Sequence, residues 1–414
     1  MTAAPHDAAE LWRLARRAAD TADEHTLARA AGCLAAALVD MIASARDERY
    51  LTVARALAAE PGPCTVTGLT GGRASGAAVI ANAFLTHARL TDDSYRVAAH
   101  PGLAVVPPAL AAVEARAAAG RPVRGRELLR ALVGGYECGC LLADALLPEV
   151  SRRGWRVTSA IAPLAAAATT ALLHELSDAD AAHALALAAS GAGGPLAVVS
   201  GDGDAWRLQP ALATGSGVYA TSAAMAGLGS GPGVLSGRHG LYSLLGGSAQ
   251  LSDGRPAAVH RVTFKRHPVA MYGQSVFEAL RSSPAPNGQL RRVVVRLAPF
   301  AAAYGHDSDT ASIASIQGIT HSALRTFHAA RAEVPVEVVG DPALGDLTAV
   351  LDLVFADART VTLTGDGDTS GWTAPDFHDH CTARAGAHGE SVLKAATALL
   401  TVPDTTALLT AWRA

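Results

Sequence analysis

Leu27, Ala31, Leu34, Leu38 and Met41 recur every three or four residues, which predicts one face of an amphipathic helix. Leu129, Leu132, Val133, Tyr136 and Cys140 repeat that spacing further on. Ser177 followed by Asp180 reads as an imperfect capping box, and the helix it opens runs to the stop "SGAGGP" at 190–195. The apolar run "AIAPLAAAATTALL" (160–173) is mostly alanine, which suits close contact between helices. It is shorter than the roughly 20 residues needed to span a bilayer. Up to about residue 258 the chain therefore reads as helix after helix.

Beyond 258 the period changes. "RRVVVRLAP" (291–299) alternates as a half-buried strand does, and "PVEVV" (335–339) is a second short strand. "AVLDLVFADARTVTLTG" predicts a hairpin with strands near 350–355 and 360–364. Helices are expected near 274–282 and 310–331, and "SSPAPNGQ" (282–289) reads as a loop. The fold class is mainly α with a smaller α+β domain. The expected organisation is a helical domain over 1–258, an α+β domain over 259–388, and a C-terminal helix over 389–414 returning to the first.

Composition narrows the function. Half of the 414 residues are apolar, 17% are charged and the formal charge is −3, so nothing calls for nucleic acid or an anionic membrane. Five cysteines, Cys33, Cys64, Cys138, Cys140 and Cys381, make no disulfide framework in a chain this long. The opening "MTAAPHDAAELWRLARR" lacks a signal-peptide core, so a cytoplasmic location is the expectation. Only Lys265 and Lys394 are lysines. Lysine can lose its proton near neutral pH when desolvated and arginine cannot, which singles these two out.

Four stretches offer chemistry. In "THARLTDDSYRVAAHPG" (86–102), His100 is a candidate general acid or base that Asp92 or Asp93 could orient. A solvated connector ahead of a helix with Pro107 and Pro108 at its head is the blander reading. In "VTFKRHPVAMYG" (262–273), Lys265 falls where the helical period ends and could bind a carboxylate or donate a proton. "DGDAWRLQPALATGSG" (202–217) matches no phosphate-binding fingerprint, yet Arg207 could clamp a carboxylate. "HDHC", with His378, His380 and Cys381, has zinc-type donors without zinc-site spacing, so a solvated loop and no metal are expected. No G-x-S-x-G is present to support a serine nucleophile.

Taken in order, these stretches resemble the MmgE/PrpD family of dehydratases, decarboxylases and epimerases. "RASGAAVIANAFLTHARLTDDS" resembles the family's RAS…AANG…HALDFDDT stretch, and "AAHPGLAVVPPALA" its HPS…VLPAALA. "GRELLRALVGGYECGCLLADAL" and "FKRHPVAMYG" fit two further segments. The resemblance implies a helical domain with an α+β lid, a homodimer, and no metal or organic cofactor. It implies acid/base residues and a lid-boundary lysine around a small polycarboxylate. Carried over, the motif histidine is His100, the motif hydroxyl is Ser94 beside Asp93, and the boundary lysine is Lys265.

The departures change the expected substrate. Leu90 stands where the family has an aspartate, Trp206 for a lysine, Gln209 for a histidine, and Arg156 for another histidine. Tyr272 is kept, while Met271 replaces an arginine. Burying several carboxylates beside apolar groups is costly unless each is paired. The expectation is thus a cofactor-independent lyase-type enzyme for a small, relatively apolar metabolite other than citrate. His100 and Lys265 would be catalytic. Ser94, Asp93, Arg156, Arg207 and Tyr272 would bind substrate beside Leu90, Trp206 and Met271. A cyclase or isomerase, or a non-catalytic binding relic of the fold, are the alternatives.

Overall fold

The computed structural model describes residues 8–200, 203–247, 251, 255–283, 288–305, 314–328 and 334–414. The first part is helical: α1 (Ala8–Asp20), α2 (Glu24–Ala45), α3 (Glu48–Leu57), a short β1 (Pro61–Cys64), α4 (Ser75–His87), α5 (Gly102–Ala118), α6 (Gly125–Leu146), α7 (Glu149–Arg152), α8 (Val157–Leu173), α9 (Asp178–Ala188), α10 (Ala205–Met225) and α11 (Leu241–Leu245). The α+β part follows as α12 (Met271–Arg281), β2 (Leu290–Leu297), α13 (Pro299–Tyr304), α14 (Ile316–His328), β3 (Val336–Gly340), β4 (Thr348–Phe355) and β5 (Thr360–Asp366). Then come α15 (Ala374–Ala385), α16 (Ala387–Ala398) and α17 (Thr406–Arg413).

Helix α8 forms the middle of the helical part, packed by α5, α6, α9 and α10. It is buried on nearly every side, which its alanines permit because small side chains let helix axes approach. Pro163 lies inside it and has no N–H for the carbonyl of Ser159. Gly193 N donates to that carbonyl instead, at 3.1 Å, so the buried acceptor is satisfied. A Cβ on Gly217 of α10 would lie 2.1 Å from the Pro163 carbonyl oxygen, so only glycine allows this crossing. Helix α2 is long and apolar enough to cross a membrane by length and composition, yet 89% of its apolar window is buried inside the protein.

The sheet has the order β3-β2-β4-β5, with β2 and β3 parallel and the other pairs antiparallel. Alternation fixes its register: Val293, Val295 and Leu297 oppose Leu353, Leu351 and Ala349, all buried on one face. Helix α12 covers that sheet at β4 and β5. The four strands fall where the alternation predicted them. Helix α14 covers part of the helix expected at 310–331; Ala314 and Ser315 precede it as non-helical chain, and residues 310–313 and 329–331 lie outside the described residues, as do residues 284–287 of the expected loop.

Three local expectations are corrected. Helix α5 starts at Gly102, so Pro107 and Pro108 lie inside it rather than at its head. The start is set upstream, where Asp93 Oδ1 accepts from Gly102 N at 2.9 Å. The "HDHC" stretch belongs to α15, with His380 and Cys381 buried. Its start signal is Thr373, which forms a capping box with Asp376 and precedes Pro375 in the first turn. The chain also returns to the helical part from α15 onward, because α15 and α16 both pack on α2.

One guanidinium ties both crossings between the two parts. Arg29 of α2 donates to Val259 O and Val262 O on the way out and to Trp372 O on the way back, at 2.9, 3.2 and 2.9 Å. It also stacks over Phe264 and Phe377. Replacing it strands three carbonyls in a nearly dry seam. Arg29→Met is expected to cost about 2–4 kcal/mol, read as a lower midpoint in urea unfolding.

Candidate functional site

Apart from the exposed Arg89 and the half-buried Arg96, the polar residues of the connection from α4 to α5 are buried, so it is no wet linker. Helix α4 ends at His87, and Leu90 N closes the end by donating to His87 O. Leu90 does this at φ +56°, a left-handed conformation that suits glycine or asparagine far better than a branched side chain. Its side chain is held in a small apolar cluster with Val199, Trp206 and Ala314. Arg96 in the same connection also has positive φ.

A two-residue bridge then joins this connection to the chain entering the α+β part. Ser94 N donates to Thr263 O and Thr263 N to Ser94 O, both at 2.8 Å. Extended backbone points alternate side chains to opposite faces. Phe264 therefore packs between Trp372 and Phe377, while Lys265 turns back over Asp92. Lys265 Nζ donates to Asp92 O at 2.8 Å and Asp92 Oδ1 at 3.1 Å, and lies 3.3 Å from His100 Nδ1. The other carboxylate oxygen, Asp92 Oδ2, is 2.8 Å from His87 Nδ1. Arg156 approaches from the start of α8, donating from Nη2 to His87 Nε2 at 2.7 Å and from Nη1 to Trp206 O. His87, Lys265, Asp92, Arg156 and His100 are 0, 0, 1, 3 and 7% exposed.

Proton positions follow from the partners. Arginine only donates, so His87 Nε2 accepts and its proton sits on Nδ1, directed at Asp92. His100 Nδ1 lies 2.9 Å from Asp93 O, a carbonyl that only accepts, so His100 also carries its proton on Nδ1. Its Nε2 lone pair has no hydrogen-bond partner among the described residues. Burial pushes Asp92 up, but His87, Lys265 and His100 outweigh it and hold the carboxyl well below its usual range. Burial lowers His87 to about 4 against the pull of Asp92. Burial and then the Lys265 charge hold His100 well below its ordinary value. Both imidazoles are neutral at pH 7 beside one carboxylate and two cations.

The backbone of Lys265 is held from α15. Arg384 of α15 donates to Lys265 O at 2.5 Å and to Asp40 Oδ1 at 3.1 Å, and Thr91 Oγ1 donates to the same Asp40 oxygen at 2.7 Å. Burial raises Asp40 to about 6, against Arg384. His87, Asp92 and His100 offer donor atoms within 4.8 Å of one another, a spacing an ion could use. Lys265 already neutralises the carboxylate there and Arg156 already occupies His87 Nε2, so two of the three groups already serve the chain's own cations.

The structure thus brings His100, Lys265, Ser94 and Arg156 together, with Ser94 Oγ 3.3 Å from His100 Nδ1. Trp206 and Leu90 line the same place, Trp206 standing edge-on to His87 with ring centroids 5.1 Å apart. Other expected residues are turned elsewhere. The Asp93 carboxylate accepts from Tyr136 at 2.7 Å and from Gly102 N; burial raises it to about 7. Arg207 donates to Ala88 O and Asp204 and lies over the Trp206 ring. Tyr272 donates to Ala314 O at 2.6 Å, and Met271 Sδ accepts from Thr263. Gln209 pairs with Ser159 and Pro195. The residues not anticipated are His87, Asp40, Thr91 and Arg384. His87 opens the "HARLTDDS" string and was legible there; Asp40 and Arg384 come from helices remote in sequence.

The chain belongs to the MmgE/PrpD family, whose N-terminal domain model matches residues 12–253. That is a family of dehydratase- and lyase-type enzymes. No curated protein matches the chain significantly.

His87 supplies a stability test. Its folded pKa, about 4, lies below the ordinary 6.5, so between these values the unfolded chain binds more protons. This contribution is complete above pH 6.5 and is lost as pH falls toward 4. It is worth roughly 3 kcal/mol at full strength. Asp40 and Asp93, with raised values, slope the other way, so the readout is a difference. Stability of the parent minus that of His87→Gln should rise from pH 4 to 6.5 and stay level above.

Proposed function

We propose that this chain is a cofactor-independent lyase-type enzyme that couples proton transfer to elimination on a small, relatively apolar metabolite other than citrate. The observation that carries this reading is the buried His100, whose Nδ1 lies 2.9 Å from Asp93 O and 3.3 Å from the Lys265 ammonium and whose Nε2 has no hydrogen-bond partner among the described residues. His100 Nε2 takes a proton from the carbon next to a carbonyl or carboxylate. The electron pair left behind forms the new double bond as the bond to the leaving group on the adjacent carbon breaks. His100 then returns its proton to that group, so a departing hydroxide leaves as water. Lys265 supplies positive potential where negative charge develops, in a site dry enough for that potential to act strongly. Trp206 stands where the resemblance expects a lysine and, with Leu90 and Val199, forms an apolar wall, which argues against a tricarboxylate substrate.

A second reading, a non-catalytic binder that retains the fold, draws support from how closed the cluster is, with Lys265 and His87 fully covered. The two readings separate on substitution. On the first, His100→Asn and Lys265→Met each lower turnover by roughly 100-fold or more while the folded state persists. Turnover within a few-fold of the parent in both variants would leave only the second.

A further inference from the structure

Arg156 is the one buried cation of this cluster with no carboxylate against it among the described residues. Lys265 pairs with Asp92 and Arg384 with Asp40. Arg156 instead spends its donors on two neutral acceptors, the Trp206 carbonyl and His87 Nε2. Asp92 is a nearby carboxylate, but both its oxygens are engaged, by His87 and by Lys265. The Asp93 carboxylate faces away, toward Tyr136 and Gly102. A guanidinium 3% exposed is expected to have an anionic partner.

A second feature has the same sign. Arg156 is the N-cap residue of α8, and no side chain caps that helix. The first amides of a helix have no partner within it, and its dipole adds positive potential there. The local chain keeps this end in place: Arg156 N donates to Gly194 O and Leu196 N to Gly154 O. Those bonds also set Leu196, Val198 and Val199 beside Trp206 and Leu90. Charge and apolar surface therefore meet at one point, a cationic end abutting a greasy wall.

We propose that Arg156 and the start of α8 receive the single carboxylate of a monoanionic substrate, whose apolar body lies against Trp206, Leu90 and Val199. This rests on the lyase-type reading and names its substrate class. A carboxylate is a stronger acceptor than a peptide carbonyl, so it displaces the Trp206 carbonyl from Arg156. The first turn of α10 must shift for that, and Trp206 reports the shift. A second or third carboxylate would have to be buried against the apolar wall without a partner, so di- and tricarboxylates bind worse.

The test uses the full chain, tryptophan fluorescence and thermal melting, with hexanoate and phenylacetate as probes, their amides as neutral controls, and succinate and citrate as polyanions. The monocarboxylates are expected to bind saturably and raise the melting temperature, with amides and citrate at least ~10-fold weaker. Arg156→Gln should erase the preference for acid over amide, and Arg156→Lys, which keeps the charge, should retain it. Trp206→Phe should fold and bind but lose the fluorescence change. Equal binding of acid and amide, tighter binding of citrate, or no binding of any probe overturns the proposal. Turnover of a citrate-type acid would sink it while leaving the lyase-type reading intact. Selective monocarboxylate binding with no turnover of any acid would do the reverse.

Discussion

The Lys265–Asp92 ion pair is the constraint on which the site depends. It closes across the two parts of the chain in a place shut off from bulk solvent. Desolvating both groups is costly, and further contacts offset it: the carboxylate also meets His87, and the ammonium also meets a backbone carbonyl. Removing either partner would leave an uncompensated charge where nothing can relax around it. The pair also makes the two histidines what they are. With Lys265 and Arg156 close by, protonating either ring adds a third cation to a dry pocket, so both remain neutral bases.

Around that pair, backbone geometry does the positioning. The Ser94–Thr263 bridge fixes which side Lys265 faces, and the Leu90 turn fixes where Asp92 begins. Leu90 is instructive. Leucine rarely adopts left-handed backbone. Burial of its side chain in the apolar cluster accompanies that conformation here.

Much of this fold was legible because its signals are local. Period-two alternation located β2, β3, β4 and β5, and the spacing of Leu27 through Met41 located α2. The failures have a common cause, since each depended on a partner distant in sequence. Nothing near Pro107 says that α5 is already under way, because its first amide, Gly102 N, is met by Asp93, nine positions earlier. The His87–Arg156 contact joins residues 69 apart, and Arg384 reaches Asp40 across 344. Composition drew attention to Lys265, but its burial and its carboxylate partner are tertiary facts. The α15 helix is the exception: Thr373, Pro375 and Asp376 spell its start, and the zinc-type donors behind them distracted from it.

The scarcity of lysine has a practical side. Lys265 is sealed inside the seam and Lys394 lies exposed on α16, so only one side chain on the surface presents a primary amine. Reagents that couple to side-chain amines would meet that single lysine. The molecule can then be tethered or tagged in a near-uniform orientation by ordinary conjugation chemistry, with the polar cluster untouched.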